Sequence, residues 1–149
     1  MDKEMLQEGI KQYIVVKLDD EQYGIDIQYI DNIVRMQRIT RIPKAQIYFK
    51  GVINLRGEII PVMSMRRKFG LNDDKITNLT RIIIIKIDST SKIGIIVDEV
   101  KEVVTLTESE VEKVVQGTKD EKSIYLSGIG KHNDGLISLL NIVSVIAEV

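Results

Sequence analysis

The chain has 149 residues, enough for one domain with a sizeable apolar core. Lysine and arginine number 21 against 22 acids, a net charge of -1, so the totals supply no field that would concentrate nucleic acid or anionic lipid. Cysteine is absent and His132 is the single histidine, which excludes disulfides, thiolate nucleophiles, Cys-ligated zinc and an imidazole cluster.

The N-terminus, MDKEMLQEGIKQ, places acids where a signal peptide needs an apolar segment, and residues 1–10 read as a flexible lead-in to a single domain over 11–147. A β-branched run follows at Tyr13 to Leu18, ended by Asp19-Asp20. Asp26 has the residue type to cap one helical turn reaching Ile30, and Ile33 to Gln37 is the next strand. Val52 to Leu55 and Ile59 to Met63 are joined through Arg56-Gly57, where Gly57 takes φ > 0 without steric cost, so the pair forms a hairpin. Pro61 lacks a backbone donor, which places the second of these strands at an edge or a bulge. MRRKFG reads as a turn and a half of helix closed by Gly70.

Arg81 to Ile87 contains Ile82 to Ile85, apolar on both strand faces, as expected of a strand covered on both sides where two small barrels pack together. That run is far too short to cross a bilayer, and the expected location is cytoplasmic without membrane insertion. Lys92 to Val97, Val100 to Leu106, Tyr125 to Gly130 and Leu136 to Leu140 complete the strands. Thr107 and Glu110 have capping-box spacing, and Asn141 is an N-cap for IVSVIAEV. Short strands at close intervals, with no βαβ alternation, predict an all-β fold with a few short helices.

Catalytic and cofactor signatures are missing. No G-x-x-x-x-G-K-[ST] loop exists, and SGIGKHNDG lacks the third glycine and the following helix of a dinucleotide loop. Asn133, Asp134 and Gly135 instead suit a hairpin turn, with His132 a solvated loop residue beside it. Asp19-Asp20 and Asp73-Asp74 read as turn formers facing water, and no cofactor or metal is expected. Arg56 is a planar five-donor fork on a rigid turn, suited either to gripping a partner's carboxylate or carbonyls or to an internal salt bridge bracing the hairpin.

Four stretches in order, YIVVKLDDEQYGIDI, GVINLRGEIIPVMSMRRKFG, GIIVDEVKEVVTL and LSGIGKHNDGLISLLNIVSVI, resemble the bacterial chemotaxis coupling protein family, CheW, over about 11–147. The resemblance implies two packed five-stranded SH3-like β-barrel subdomains with a short C-terminal helix. It implies a non-catalytic adaptor, monomeric in isolation, that couples the cytoplasmic tip of methyl-accepting chemoreceptors to the regulatory domain of the histidine kinase CheA. It also implies partner-binding positions: Arg56 of the NLRG motif, Ile30, Asn32, Val100 and Val103 at a receptor groove between the barrels, and Gly51 and Gly94 where a side chain would disturb strand packing. Asn32 stands where the family usually has Glu, and Ser64 and Asn141 stand for common aspartates; each keeps a hydrogen-bonding group but drops a carboxylate. A CheW-like scaffold of another two-component pathway, such as twitching motility or development, is the alternative. A small barrel enzyme using Arg56 and His132 would need a convergent polar pocket, where the sequence offers mostly Ile and Val. Near-balanced charge points to short-range apolar contacts with modest salt dependence.

Overall fold

The computed structural model describes residues 9–43, 45–113, 124–133 and 135–147, so most of the expected N-terminal lead-in, and Asp134 of the hairpin turn, lie outside the described residues. In chain order the strands are β1 (Ile10–Leu18), β2 (Glu21–Asp26), β3 (Ile30–Arg35), β4 (Phe49–Leu55), β5 (Glu58–Ser64), β6 (Arg81–Lys86), β7 (Lys92–Val97), β8 (Glu99–Thr107), β9 (Val111–Lys113), β10 (Leu126–His132) and β11 (Gly135–Leu140). The helices are α1 (Met65–Lys68) and α2 (Ile142–Ile146). Two compact units result, Met1–Gln28 with Lys101–Glu148, and Tyr29–Val100.

The first unit holds the sheet ordered β8-β1-β2-β11-β10-β9. Its core takes every second residue of three strands, Tyr13 and Val15, Val104 and Leu106, Ile137 and Leu139, as the two-residue period of a strand dictates. Gln28 donates its backbone N–H to Asp26 Oδ1 at 3.0 Å, so the expected Asp26 cap opens a single 3-10 turn, Ile27–Tyr29. Glu110 reaches back to the Thr107 N–H at 2.9 Å, and Asn141 caps α2 by accepting from Ser144 N at 3.3 Å. At the end of β10 the His132 ring meets the Asn133 amide at 3.2 Å, and Asn133 has φ 47°.

The second unit holds the sheet ordered β3-β6-β7-β5-β4. Ile53, Ile60, Val62, Ile82, Ile84 and Ile96 form its cluster, with Val34, Met36, Ile39 and Leu55 packed on it. All four of Ile82 to Ile85 are fully buried, as their composition predicts. The expected all-β fold with a few short helices is found, but among the described residues neither sheet closes into a barrel: the end strands of each order do not pair, and one sheet has six strands rather than the expected five. The edge of β4 is instead met by one bridge, in which Thr40 and Val52 exchange N–H to O bonds of 2.8 and 2.9 Å.

Pro61 does not mark an edge strand, because β5 lies between β7 and β4. It is tolerated because the parallel ladder to β7 begins only at Val62, so the missing donor falls where β5 has one neighbour. After β5 the chain turns into α1, capped by Ser64 Oγ accepting from Arg67 N at 3.1 Å and closed at Gly70 with φ 73°. Arg66, on this single turn, is buried and grips Asp98 with both arms: Nε to Oδ1 at 2.8 Å and Nη2 to Oδ2 at 2.6 Å. Its Nη1 donates to the Asn72 carbonyl at 3.2 Å.

Asp73 is a water-facing turn former as its spacing suggests, its side chain 53% exposed and accepting from Asp74 N at 2.8 Å, but it also gathers cations from outside the turn, and Asp74 does not face water. Asp73 accepts from Arg67 Nε and Nη2 at 2.9 and 2.7 Å and from Lys50 at 2.7 Å, while the Asp74 side chain is 2% exposed, 3.6 Å from Lys50. Lys50, on β4, meets Asp73 across 23 positions of sequence, which no local pattern records.

Removing Arg66 leaves Asp98, 24% exposed, without its fork. Arg66→Ala is expected to cost about 3 kcal/mol, a fall of about 6–12 °C in Tm followed by circular dichroism. A fall under about 3 °C would show that Asp98 is solvated without help. The guanidinium of Arg67 and the ammonium of Lys50 hold the Asp73 carboxyl well below the usual carboxylate range. A depressed folded value means that this contribution is complete above the unfolded value, about 3.9, and is lost as pH falls below it. Asp73→Asn should therefore flatten the drop in Tm between about pH 6 and about pH 3 relative to the parent chain, and equal slopes would rule the contribution out.

Candidate partner-binding site around Arg56

The β4–β5 hairpin pairs Leu55 with Glu58, leaving Arg56 and Gly57 as its two-residue loop. Both are left-handed, with φ of 54° and 84°, the positive-φ pair of the tight turn that suits the twist of antiparallel strands. Glycine adopts it freely, but at Arg56 the conformation costs a side-chain-bearing residue roughly 1–2 kcal/mol. Asn54 pins the turn, its Oδ1 accepting from Gly57 N at 2.9 Å.

Among the described residues Arg56 makes no hydrogen bond or ion pair, so the expectation of an internal salt bridge bracing the turn is not met. Its exposed side chain borders a cavity of about 150 Å³ with Asp31, Asn32, Leu55, Glu58, Ile60 and Lys92. Lys92 stands 3.4 Å from Asp31 and 3.3 Å from Glu58, so one ammonium serves two carboxylates, and those carboxylates raise its pKa. The Arg56 fork therefore faces outward with its donors uncommitted.

Asn32 follows the irregularity between Ile30 and Asn32 in the β3–β6 ladder, and its Oδ1 is buried without a hydrogen-bond partner. It pairs with Ile84, which pairs with Gly94, which pairs with Val62, which pairs with Gly51. Asn32, Gly94 and Gly51 thus occupy one row across the five-stranded sheet. The row ends at Gly51, where φ is 139° and an added Cβ would lie 2.1 Å from the Thr40 carbonyl oxygen. At Gly94 a Cβ would stand 2.8 Å from Ile82 Cγ2 and 3.3 Å from Val62 Cγ2. Both glycines are buried and serve close packing of the sheet on which the Arg56 turn stands.

Ile30 is half-buried at the start of β3, paired with Ile85. Val100 is half-buried near the start of β8, and Val103, further along that strand, is 50% exposed. The cavity brings together Arg56 and Asn32; the other five positions do not line it. Sequence reading missed Asp31, Glu58 and Lys92 there. Their only common signal is charge at the ends of strand-like runs, which is ordinary for surface positions. Arg56 in a left-handed turn was also unsignalled, because Asn-Gly rather than Arg-Gly is the usual pair for that turn.

No helix among the described residues is long and apolar enough to cross a membrane, and no group of three or more metal-ligating side chains is found among them. The sequence model of the CheW-like domain matches residues 12–149. The chain is 34% identical to "Chemotaxis protein CheW" of Bacillus subtilis (strain 168), covering 89% of this chain and 85% of that one. It is 31% identical to the protein of the same name from Helicobacter pylori, over 95% and 84% of the two. Among solved structures, the scaffolding protein TtCheW from Thermoanaerobacter tengcongensis superposes with a TM-score of 0.79 at 36% identity, covering 88% of each chain. With a family match over nearly the whole length, an all-β fold and the NLRG arginine on an exposed hairpin, the chain belongs to the CheW-like domain family.

Proposed function

We propose that this protein is a chemotaxis adaptor, without catalysis of its own, that couples the helical cytoplasmic tip of methyl-accepting chemoreceptors to the regulatory domain of the histidine kinase CheA. The observation that carries the reading is Arg56: an uncommitted guanidinium held in a left-handed turn, in a chain of a family whose relatives are named for chemotaxis and scaffolding. A strained non-glycine residue on an exposed turn is retained where its side chain is needed at that place. Asn32 belongs to the same contact through their shared cavity. Gly51 and Gly94 contribute by holding the sheet in register, and Ile30, Val100 and Val103 supply apolar area at the receptor contact. The protein works in the cytoplasm and is recruited to receptor arrays by these contacts, as a single CheW-like domain over 11–147, monomeric until bound.

Two substitutions separate site from scaffold. Arg56→Gly removes the fork but relaxes the turn, so Tm should stay within about 3 °C while affinity for the CheA regulatory domain or receptor tip, measured by calorimetry, falls about tenfold or more. Unchanged affinity for both partners would take Arg56 out of the contact. Gly51→Ala drives a methyl into the Thr40 carbonyl, and Tm itself should drop by more than about 6 °C, with coupling lost through the fold. Absence of saturable binding by the parent chain to either partner would favour a scaffold of another two-component pathway.

A further inference from the structure

The connection from β3 to β4 carries a pattern that the charge totals conceal. From Arg35 it runs Arg-Met-Gln-Arg-Ile-Thr-Arg-Ile, an arginine at every third position and an apolar residue directly after each. Met36 and Ile39, three residues apart as in a polyproline-like extended chain, both pack on the Ile53 cluster, while Ile42 beyond them is 45% exposed. Arg35, Arg38 and Arg41 are all three exposed, and Arg35 and Arg38 each directly precede one of these inward residues. The Thr40–Val52 bridge fixes the backbone beneath them.

These arginines differ from neighbouring cations. Lys50 and Arg67 are held by Asp73, Arg66 by Asp98, and Lys92 by Asp31 and Glu58. Among the described residues the side chains of Arg35, Arg38 and Arg41 have no hydrogen bond or ion pair. Arg41 also borders a cavity of about 270 Å³ with Ile39, Lys50 and Arg67. Three planar forks without internal acids suit bidentate capture of carboxylates.

Spacing selects the carrier of those carboxylates. Three residues of extended chain advance about 9 Å, and seven residues of α-helix advance about 10.5 Å. Over two intervals the mismatch is only about 3 Å, within reach of an arginine side chain. We propose that residues 35–41 form a rail for a partner helix that carries carboxylates at seven-residue intervals, as along the outer face of a coiled coil. The proposal deepens the adaptor reading by assigning the charge pattern of its helical partner, and rests on it to that extent.

The test titrates the full chain against two synthetic coiled coils of equal length and charge, one with glutamates at seven-residue spacing on its outer face and one with them redistributed. Tighter binding of the first by about tenfold is expected, lost in Arg35→Ser/Arg38→Ser/Arg41→Ser and reduced about two- to threefold in each single variant, which guards against misfolding of the triple one. Equal affinity for the two peptides, or unchanged affinity in variants of native circular dichroism, overturns the rail. So does tighter binding to phosphatidylserine-containing vesicles than to either peptide, which would make the strap a lipid contact. Parallel titration with the CheA regulatory domain keeps the two readings apart. A chain that binds the kinase but ignores spacing refutes the rail alone, and one that reads spacing but binds neither kinase nor receptor tip refutes the adaptor alone.

Discussion

The bidentate contact between Arg66 and Asp98 is the constraint on which the second unit depends. A four-residue helix has too few internal hydrogen bonds to persist by propensity, so α1 exists because it is tied at both ends. Ser64 caps its start, and Arg66 fastens it to the residue that follows β7. That bond closes the parallel ladder of β5 on β7, which runs from Val62–Gly94 to Ser64–Ile96 and needs a long connection to form at all. With β5 fixed in register, β4 is fixed on its other side, and the turn that carries Arg56 is placed. An internal ion pair far from Arg56 in sequence thus determines where an uncommitted cation is displayed. Arg66 and Arg67, adjacent in sequence, are spent inside the fold, while Arg56 is not.

Much of this architecture is legible in the residues. β-branched runs ended by turn residues locate most strands, because period-2 burial and β propensity agree there. β2 is the instructive omission: Glu21, Gly24 and Asp26 dilute its pattern, yet Tyr23 and Ile25 are buried because β1 and β11 enclose the strand on both sides. β9 is three residues long and, among the described residues, pairs with β10 alone. The cavity beside Arg56 was half legible. The arginine stood out because glycines flank an apolar hairpin, but its own left-handed backbone, and the sharing of Lys92 between Asp31 and Glu58, arise from pairing across strands. Asp73 and Asp74 show the same limit, since a doubled aspartate has the same local signature whether it meets water or a lysine 23 positions away.

The departures from the family pattern separate stability from recognition. Ser64 and Asn141 replace common carboxylates and still cap α1 and α2, because an N-cap requires an oxygen acceptor rather than a charge. Asn32 differs in kind. It shares a cavity with Arg56, and an amide there provides no anion to hold the guanidinium, while the two nearby carboxylates are compensated by Lys92. The fold tolerates all three replacements, but only the last leaves a cation free for something outside the chain.

A net charge of -1 is compatible with strong local asymmetry, and it is the asymmetry that a partner meets. The expectation of largely apolar contacts followed from totals, which average Arg35, Arg38 and Arg41 against acids held elsewhere. Steps of about 9 Å along the strap nearly equal the Debye length at physiological ionic strength, about 8 Å. At that separation exposed charges are largely screened from one another, so the three do not merge into a field that attracts any anion. Each instead acts on the group directly opposite it. A chain of near-zero total charge that spaces its free cations by about one screening length avoids indiscriminate binding to polyanions and still recognises a partner whose carboxylates come at the matching interval.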